Sequence, residues 1–269
     1  MRAKKKLDGG LNNTKIAIKF FAFVFIVILI SLIFKGVLIV SKSRFDTKTR
    51  FTISVTNGKD LEIISFSPKS QSISVLKIEG DTKSLNINRF LEIPIDGEAK
   101  SSLTIKDFKV SDLMLKFILN YKSIRTNLTI VDILRLYLFS KTLPINYIYD
   151  KKISTSENVS SLDKIIPPLF SDEIIEKENV SIKIVNGINV TGLGNRLGRL
   201  ITNMGGNVVI IASSDSNENI STISYFGKKT YTVEKISKIL GFKLNKLDKK
   251  AIADIVIVIG KDSLAKLNF

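Results

Sequence analysis

The most regular pattern in the sequence is VSIKIVNGINVTGLGNRLGRLITNMGGNVVIIA, residues 180–212. It opens with a β-branched segment that predicts a strand over 181–185, and it closes with a second predicted strand over 207–212. Between them, an apolar stripe at helical spacing predicts a helix over 191–204. The stripe consists of Leu193, Leu197, Leu200, Ile201 and Met204. Together the three segments predict a β-α-β unit.

A second set of segments follows this unit. STISYF (221–226) predicts a strand, residues 232–240 a helix, and DIVIVI (254–259) another strand. The order β-α-β-β-α-β predicts a split-βαβ sandwich, with the sheet on one side and two helices on the other. The uninterrupted runs VVII and IVIVI are typical of central strands buried on both faces.

Glycines precede and enter the first of these helices. Gly192, Gly194 and Gly198 approach a dinucleotide-binding fingerprint, and Asp215 stands where its acidic residue would follow. The spacing is G-x-G-x-x-x-G, the glycines begin several residues after the strand, and no second nucleotide-binding half follows. We therefore favour another explanation, in which Gly194 and Gly198 lie one turn apart and let the helix approach the sheet closely.

The start of this helix is also a candidate anion site. Its unpaired N–H groups can hold an anion, and Arg196 and Arg199 lie within the next two turns. Gly192, Gly194, Arg196 and Arg199 are thus the binding residues that the sequence predicts, and it predicts no cofactor and no metal. The alternative is that both arginines are solvated cations on the outer helix face.

Residues 45–153 predict a β-rich α/β domain. Three β-branched segments separated by turn residues predict a β-meander over 51–55, 61–66 and 72–78. INYIYD (145–150) predicts a returning strand. The following residues, 154–178, are polar, contain two adjacent prolines and predict a linker to a C-terminal domain over 179–269.

Two helices are predicted inside the middle domain. Ser111 is the candidate N-cap of a helix over 112–120. Thr129 and Asp132 form a capping-box pattern in front of an apolar helix over 130–139. The fold class predicted for the whole chain is therefore α+β.

An apolar run near the N-terminus predicts a transmembrane helix over 20–40, long enough to cross a bilayer. The alternative is a cleaved signal peptide, but the run is long and Ser41-Lys42-Ser43 is a poor cleavage site. Basic residues flank both ends, so charge gives only a slight bias of orientation. We predict a cytoplasmic basic tail over 1–19, a single span, and the later domains outside the bacterial cytoplasmic membrane.

Composition limits the possible chemistry. The 269 residues include no His, Cys or Trp, which excludes disulfides, thiolate zinc sites and imidazole catalysis. The net charge of +16 is segmental. Residues 1–50 hold 11 basic and 2 acidic residues, residues 51–179 hold 17 of each, and residues 180–269 hold 13 and 6. Much of the basicity therefore belongs to the membrane arm, where lipid phosphates are the expected partner.

The C-terminal third resembles the LytR C-terminal domain of bacterial cell-envelope proteins. The resemblance covers roughly 179–262 and rests on glycine pairs and aromatic positions that recur in order. They are Asn186-Gly187, Gly192, Gly194, Gly205-Gly206, Tyr225-Phe226-Gly227, Asp254 and Gly260. The resemblance implies a location outside the cell and does not imply a particular reaction.

The middle domain resembles a truncated, degenerate LytR-CpsA-Psr domain. That family transfers glycopolymers from a polyprenyl pyrophosphate to peptidoglycan with Arg and Asp residues and a divalent metal. In this chain only Asp81 and Thr82 match the family's I-P-R-D-T-like turn, and Gly80 occupies the arginine position. Residues 51–179 contain three arginines, fewer than a pyrophosphate site needs. Asp81 is therefore a weak catalytic candidate and more typical of a turn.

These observations predict a membrane-anchored, extracytoplasmic binding or scaffold protein of the bacterial cell envelope, linked to cell-wall assembly. Its expected partners are the membrane and peptidoglycan, an envelope glycopolymer or an envelope protein, and no nucleic acid. One alternative is a diverged glycopolymer phosphotransferase. A second alternative is a DNA-binding regulator, which would require the opposite topology.

Overall fold

The structure, a computed structural model, describes residues 9–58, 60–82, 85–101, 109–188, 190–214, 217–249 and 252–266. The chain forms two units, one ending at Ser43 and one beginning at Arg44. The first contains helix α1 (Gly9–Ser41), whose segment Lys15–Ser41 is long and apolar enough to cross a membrane. The predicted span over 20–40 falls inside this helix.

The second unit begins with a six-stranded sheet. Its strands are β1 (Phe51–Asn57), β2 (Asp60–Ser67), β3 (Ser72–Glu79), β4 (Gly97–Lys100), β5 (Arg125–Thr126) and β6 (Ile148–Ser154). They lie in the order β5-β4-β1-β2-β3-β6. The first three form the predicted antiparallel meander, and β6 pairs in parallel with β3. The returning strand starts at Ile148 because residues 145–147 form a 3₁₀ turn.

Helices cover both faces of this sheet. They are α2 (Ile87–Leu91), α3 (Val110–Leu119), α4 (Ile130–Thr142) and α5 (Val159–Phe170). Since side chains alternate along a strand, neighbouring residues of β2 enter different cores. Ile64 packs with residues of α3 and α4, whereas Ile63 packs with residues of α5. This arrangement gives the α/β character that the sequence predicts.

The two predicted helix caps have different outcomes. Thr129 and Asp132 form the capping box of α4, as predicted. The prediction for Ser111 is wrong, because α3 already begins at Val110 and Lys109 occupies the N-cap position without a side-chain hydrogen bond. Ser111 lies inside the first turn, where its hydroxyl cannot cap the helix start.

Residues 154–178 are mostly helical, which corrects their prediction as a linker. They contain α5 and α6 (Glu173–Glu178). Leu162, Ile166 and Phe170 recur every four residues on α5 and are buried against the first sheet. The polar residues that suggested a linker lie between these apolar positions, and Pro167 and Pro168 lie in the last turn.

A five-stranded sheet forms the C-terminal part. Its elements are β7 (Ser181–Asn186), α7 (Leu193–Asn203), β8 (Asn207–Ser213), β9 (Thr222–Phe226), α8 (Tyr231–Leu240), β10 (Lys243–Leu247), β11 (Ile255–Ile259) and a last short helix α9 (Ser263–Lys266). The strand order is β10-β9-β11-β7-β8. The apolar sides of α7 and α8 share one core with β7, β9 and β11, as expected for a sheet covered by two helices.

The sheet differs from its prediction in three respects. An additional strand, β10, stands before β11, and its Lys and Asn residues interrupt the apolar pattern of KLNKL. Each helical crossover joins neighbouring strands, β7 to β8 and β9 to β10, so the order is not that of a split-βαβ unit. IVIVI is central as predicted, but VVII belongs to β8 at the sheet edge, where Val209 and Ile211 remain exposed.

Candidate functional site

A cavity of about 460 Å³ lies where the first sheet meets α7 and α8. Its size falls within the range of small-ligand sites. About half of its wall is apolar and comes from Phe51, Ile93, Pro94, Ile95, Leu200 and Ile239. Four cationic side chains, Arg44, Arg50, Lys235 and Lys238, line the same cavity beside a single carboxylate, Asp96.

Two of these cations are already paired. Nη2 of the buried Arg50 lies 2.8 Å from Oε1 of Glu173, and Nζ of Lys235 lies 3.4 Å from Oδ1 of Asp96. Arg44 and Lys238 are exposed, and neither forms an ion pair with any residue that the structure describes. The cavity therefore presents an excess of positive charge next to an apolar wall.

The fold fixes the backbone that carries Arg44. Oδ1 of Asp132, a fully buried carboxylate in the capping box of α4, accepts hydrogen bonds from the N–H groups of Arg44 at 2.7 Å and Phe45 at 2.9 Å. The guanidinium of Arg44 then donates to the backbone carbonyl of Asp96 at 3.0 Å. These bonds hold the first residues of the second unit at the cavity wall.

The N-terminus of α8, which supplies both lysines, is held by two carboxylates. Glu178 accepts hydrogen bonds from the N–H groups of Tyr231 and Thr232 and from the Thr232 hydroxyl. Burial alone raises the pKa of Glu178, but these hydrogen bonds outweigh burial and the pKa is lowered. The Tyr231 hydroxyl donates to Oδ2 of the buried Asp172 at 2.8 Å, and burial together with this carboxylate raises the pKa of Tyr231.

The predicted arginines of α7 face an acidic partner in the first domain. Nε of Arg196 lies 3.0 Å from Oε1 of Glu92, and Nη1 of Arg199 lies 3.3 Å from Oε2 of the same residue. Arg199 also contacts Asp163 of α5 at 2.9 Å. Neither sequence interpretation of these arginines included such partners, because nothing in the segment around Glu92 marks it as their acceptor.

The four predicted binding residues do not form one site. Gly192 is the N-cap of α7 with a φ of 80°, and Gly192 and Gly194 line a shallow cavity of about 160 Å³ beside β8. A Cβ at Gly194 would lie 3.1 Å from Cγ2 of Ile211, and one at Gly198 would lie 2.7 Å from its Cδ1, which agrees with close packing of helix and sheet. Arg196 and Arg199 reach toward Glu92 instead. Asp215 lies outside the described residues.

The structure places the catalytic candidate Asp81 on the surface. It follows Gly80 at the end of β3, and its side chain is exposed. Within the described part of the chain, no group of three or more acidic side chains is arranged to hold a metal ion. The cavity residues Arg44, Lys235 and Lys238 were not predicted, because no local motif distinguishes them from other surface cations.

The fold and the cavity define an α+β protein with an N-terminal apolar helix and two mixed sheets joined by helices. Residues 179–262 match the family model described as LytR cell envelope-related transcriptional attenuator. This match covers the segment for which the sequence predicts a resemblance to the LytR C-terminal domain. No curated protein matches the chain significantly.

Two solved structures from Bacillus subtilis are among its structural matches. The transcriptional regulator yvhJ matches with 14% identity and a TM-score of 0.31, covering 44% of this chain and 94% of its own. TagT matches with 14% identity and a TM-score of 0.28, covering 42% of this chain and 81% of its own.

Proposed function

We propose that this chain is a membrane-anchored, extracytoplasmic binding protein of the bacterial cell envelope, with its N-terminus in the cytoplasm. The apolar helix α1 and the family description of residues 179–262 support this proposal. The sequence resemblance of the middle domain to LytR-CpsA-Psr proteins points to the same location. A role in cell-wall assembly follows from that location and is part of the proposal.

The cavity lined by Arg44 and Lys238 carries the binding part of the proposal. Cations without ion-pair partners beside an apolar wall suit an anionic ligand, because the charges attract it and the wall excludes water. Anionic glycopolymers of the cell wall offer repeated phosphate or carboxylate groups next to less polar carbons. We therefore propose an anionic envelope glycopolymer as the ligand of this cavity.

A binding experiment tests the ligand. The full chain, purified in detergent, is cosedimented with isolated cell walls that carry their anionic polymers and with the same walls after acid extraction of those polymers. Binding to intact walls should exceed binding to extracted walls, and Arg44→Gln with Lys238→Gln should weaken it several-fold. Equal binding by this double variant would contradict the cavity as the site.

The matched control removes two positive charges elsewhere. Lys243 and Lys246 are exposed on β10 and do not line the cavity. Lys243→Gln with Lys246→Gln should therefore bind nearly as well as the unchanged chain. An equal loss in both double variants would show that net charge, and not this cavity, drives the interaction.

A reporter fusion tests the location separately. An enzyme that is active only outside the cytoplasm, fused after Phe269, should be active when the full chain is expressed in a bacterium. An expressed but inactive fusion would overturn the extracytoplasmic location and favour the regulator alternative, which needs a cytoplasmic C-terminal domain.

A further inference from the structure

Among the residues that the structure describes, the two sheets have four edge strands, and three of them are protected against pairing with another chain. β5 has only two residues, β6 carries Asp150, Lys151 and Lys152, and β10 carries Lys243 and Lys246. Short length and charge are common means of protecting an edge. The fourth edge, β8, has the sequence NVVIIAS, with seven residues and no charge or proline. It is the unprotected edge.

Part of β8 offers regular backbone groups to a new strand. The pairing with β7 contains a bulge at Val209, since Ile182 pairs with Val208 and Lys183 with Ile210. Beyond the bulge, the N–H of Ser214 donates to the carbonyl of Asn186. Along a strand, the backbone N–H and C=O groups of successive residues point alternately to one neighbouring strand and to the other. The backbone groups of Ile211 and Ser213 therefore point away from β7, toward the free side of the edge.

The helical layer extends past this edge. Ile211 pairs with the fully buried Ile184 yet remains 44% exposed. Beside it lies a cavity of about 450 Å³, lined by Pro167 of α5, by Gly198 of α7 and by Val208 and Ile211. One more strand next to β8 would place its helix-facing side chains in this space.

The 450 Å³ cavity forms a groove along β8, and this groove suits an uncharged occupant. The two charged residues in its wall, Arg199 and Asp163, are already paired with each other, and Arg199 is also paired with Glu92. The edge strand itself has no charge to attract an ionic partner. A strand with branched aliphatic residues on its helix-facing side and no charge fits this edge, and β8 of a second copy has this composition.

We infer that β8 pairs antiparallel with β8 of a second copy of this chain. A twofold axis perpendicular to the sheet keeps the helix-facing sides of both strands on one side, so Ile211 of each copy lies near the groove of the other. The result is one continuous ten-stranded sheet. The inference does not depend on the ligand proposed above.

Single-cysteine crosslinking tests this pairing, because the chain contains no cysteine of its own. A twofold axis at Ala212 or at Ile211 places that residue opposite its own copy. Opposed Cα atoms lie about 4.5–5.5 Å apart in antiparallel pairs, which a disulfide can bridge. Under mild oxidation of the purified full chain, Ala212→Cys or Ile211→Cys should give a disulfide-linked dimer on a non-reducing gel.

Two controls make the test decisive. Asn245→Cys, on the opposite edge strand β10, should remain monomeric. Adding Ile211→Lys, at an exposed edge position, should abolish crosslinking through Ala212→Cys, because in that register the two lysines would be diagonal neighbours on one face of the uncharged interface. Absence of a dimer from both β8 cysteines, or equal crosslinking by Asn245→Cys or in the presence of Ile211→Lys, would overturn the inference. Monomeric protein that captures only an added apolar strand peptide would also overturn it and point to a peptide as the occupant.

Discussion

Nε of Arg196 lies 3.0 Å from Oε1 of Glu92, a carboxylate with a side chain only 2% exposed, across 104 residues of sequence. Asn203, two turns along α7, donates to the backbone carbonyls of Leu91 and Glu92. Burial raises the pKa of Glu92, while the arginines oppose this shift. The contact therefore fixes α7 against the segment around Glu92 through a buried ion pair and hydrogen bonds to the backbone.

Arg196→Ala should destabilise the second unit, because it leaves a buried carboxylate with less compensation. Removing one partner of a buried pair costs about 3–5 kcal/mol, and the partial exposure of Arg196 and the remaining Arg199 reduce this to about 2 kcal/mol. Thermal unfolding of the full chain in detergent, followed by far-UV circular dichroism, measures the loss. Arg125→Ala, at an exposed arginine, is the control, and equal unfolding temperatures would contradict the role of the pair.

Two substitutions at the start of α4 should lower the free energy of unfolding by different amounts. Thr129→Ala removes one side of a capping box and should cost about 1 kcal/mol. Asp132→Ala should cost about 3 kcal/mol or more, because the carboxylate also accepts the N–H groups of Arg44 and Phe45. Urea-induced unfolding of both variants measures the two losses of unfolding free energy. Equal losses would mean that the bonds to residues 44 and 45 contribute nothing.

Glu62 should give the protein a measurable pH dependence. Burial raises its pKa from 4.5 to about 7, although Lys77 on the neighbouring strand opposes the shift. The folded state then binds more protons than the unfolded state between these values, so stability falls as pH rises from about 4.5 to about 7. Unfolding temperatures of Glu62→Gln across this range should be flatter than those of the unchanged chain. The exposed Glu98→Gln should keep the original slope, and an unchanged slope in Glu62→Gln would refute the shift.

Two glycines should respond differently to alanine. At Gly260 a Cβ would lie 2.5 Å from the carbonyl carbon of Ile220 and 2.8 Å from the N of Ser221, so backbone must move. Gly260→Ala should cost about 2–3 kcal/mol. At Gly198 the Cβ would meet Cδ1 of Ile211 at 2.7 Å, the mobile end of a half-exposed side chain. The gain in helix propensity offsets that contact, so Gly198→Ala should stay within about 1 kcal/mol of the unchanged chain. Denaturant midpoints of the two variants measure both effects. Similar losses of stability in the two variants would contradict the expected difference between the two sites.

Local patterns predicted many elements well. The apolar period of residues 191–204 and the alternation in the first meander gave helix and strand correctly, and Thr129 with Asp132 located a helix start. The same patterns failed where polar residues masked a stripe, as on α5, or interrupted a short strand, as on β10. The cavity was not predicted, because its cations come from separate parts of the chain.

Four features could be predicted from residues that are close together in the chain: the apolar N-terminal helix, the α+β class, the close approach of α7 to the sheet at its glycines, and the resemblance of residues 179–262 to the LytR C-terminal domain. Three others are visible only in the folded chain: VVII is an edge strand, Arg196 and Arg199 contact Glu92, and Arg44 and Lys238 share a cavity. Periodicity is set by neighbours within a few turns or strands. Strand order, ion-pair partners and cavities depend instead on which distant segments the whole fold brings together.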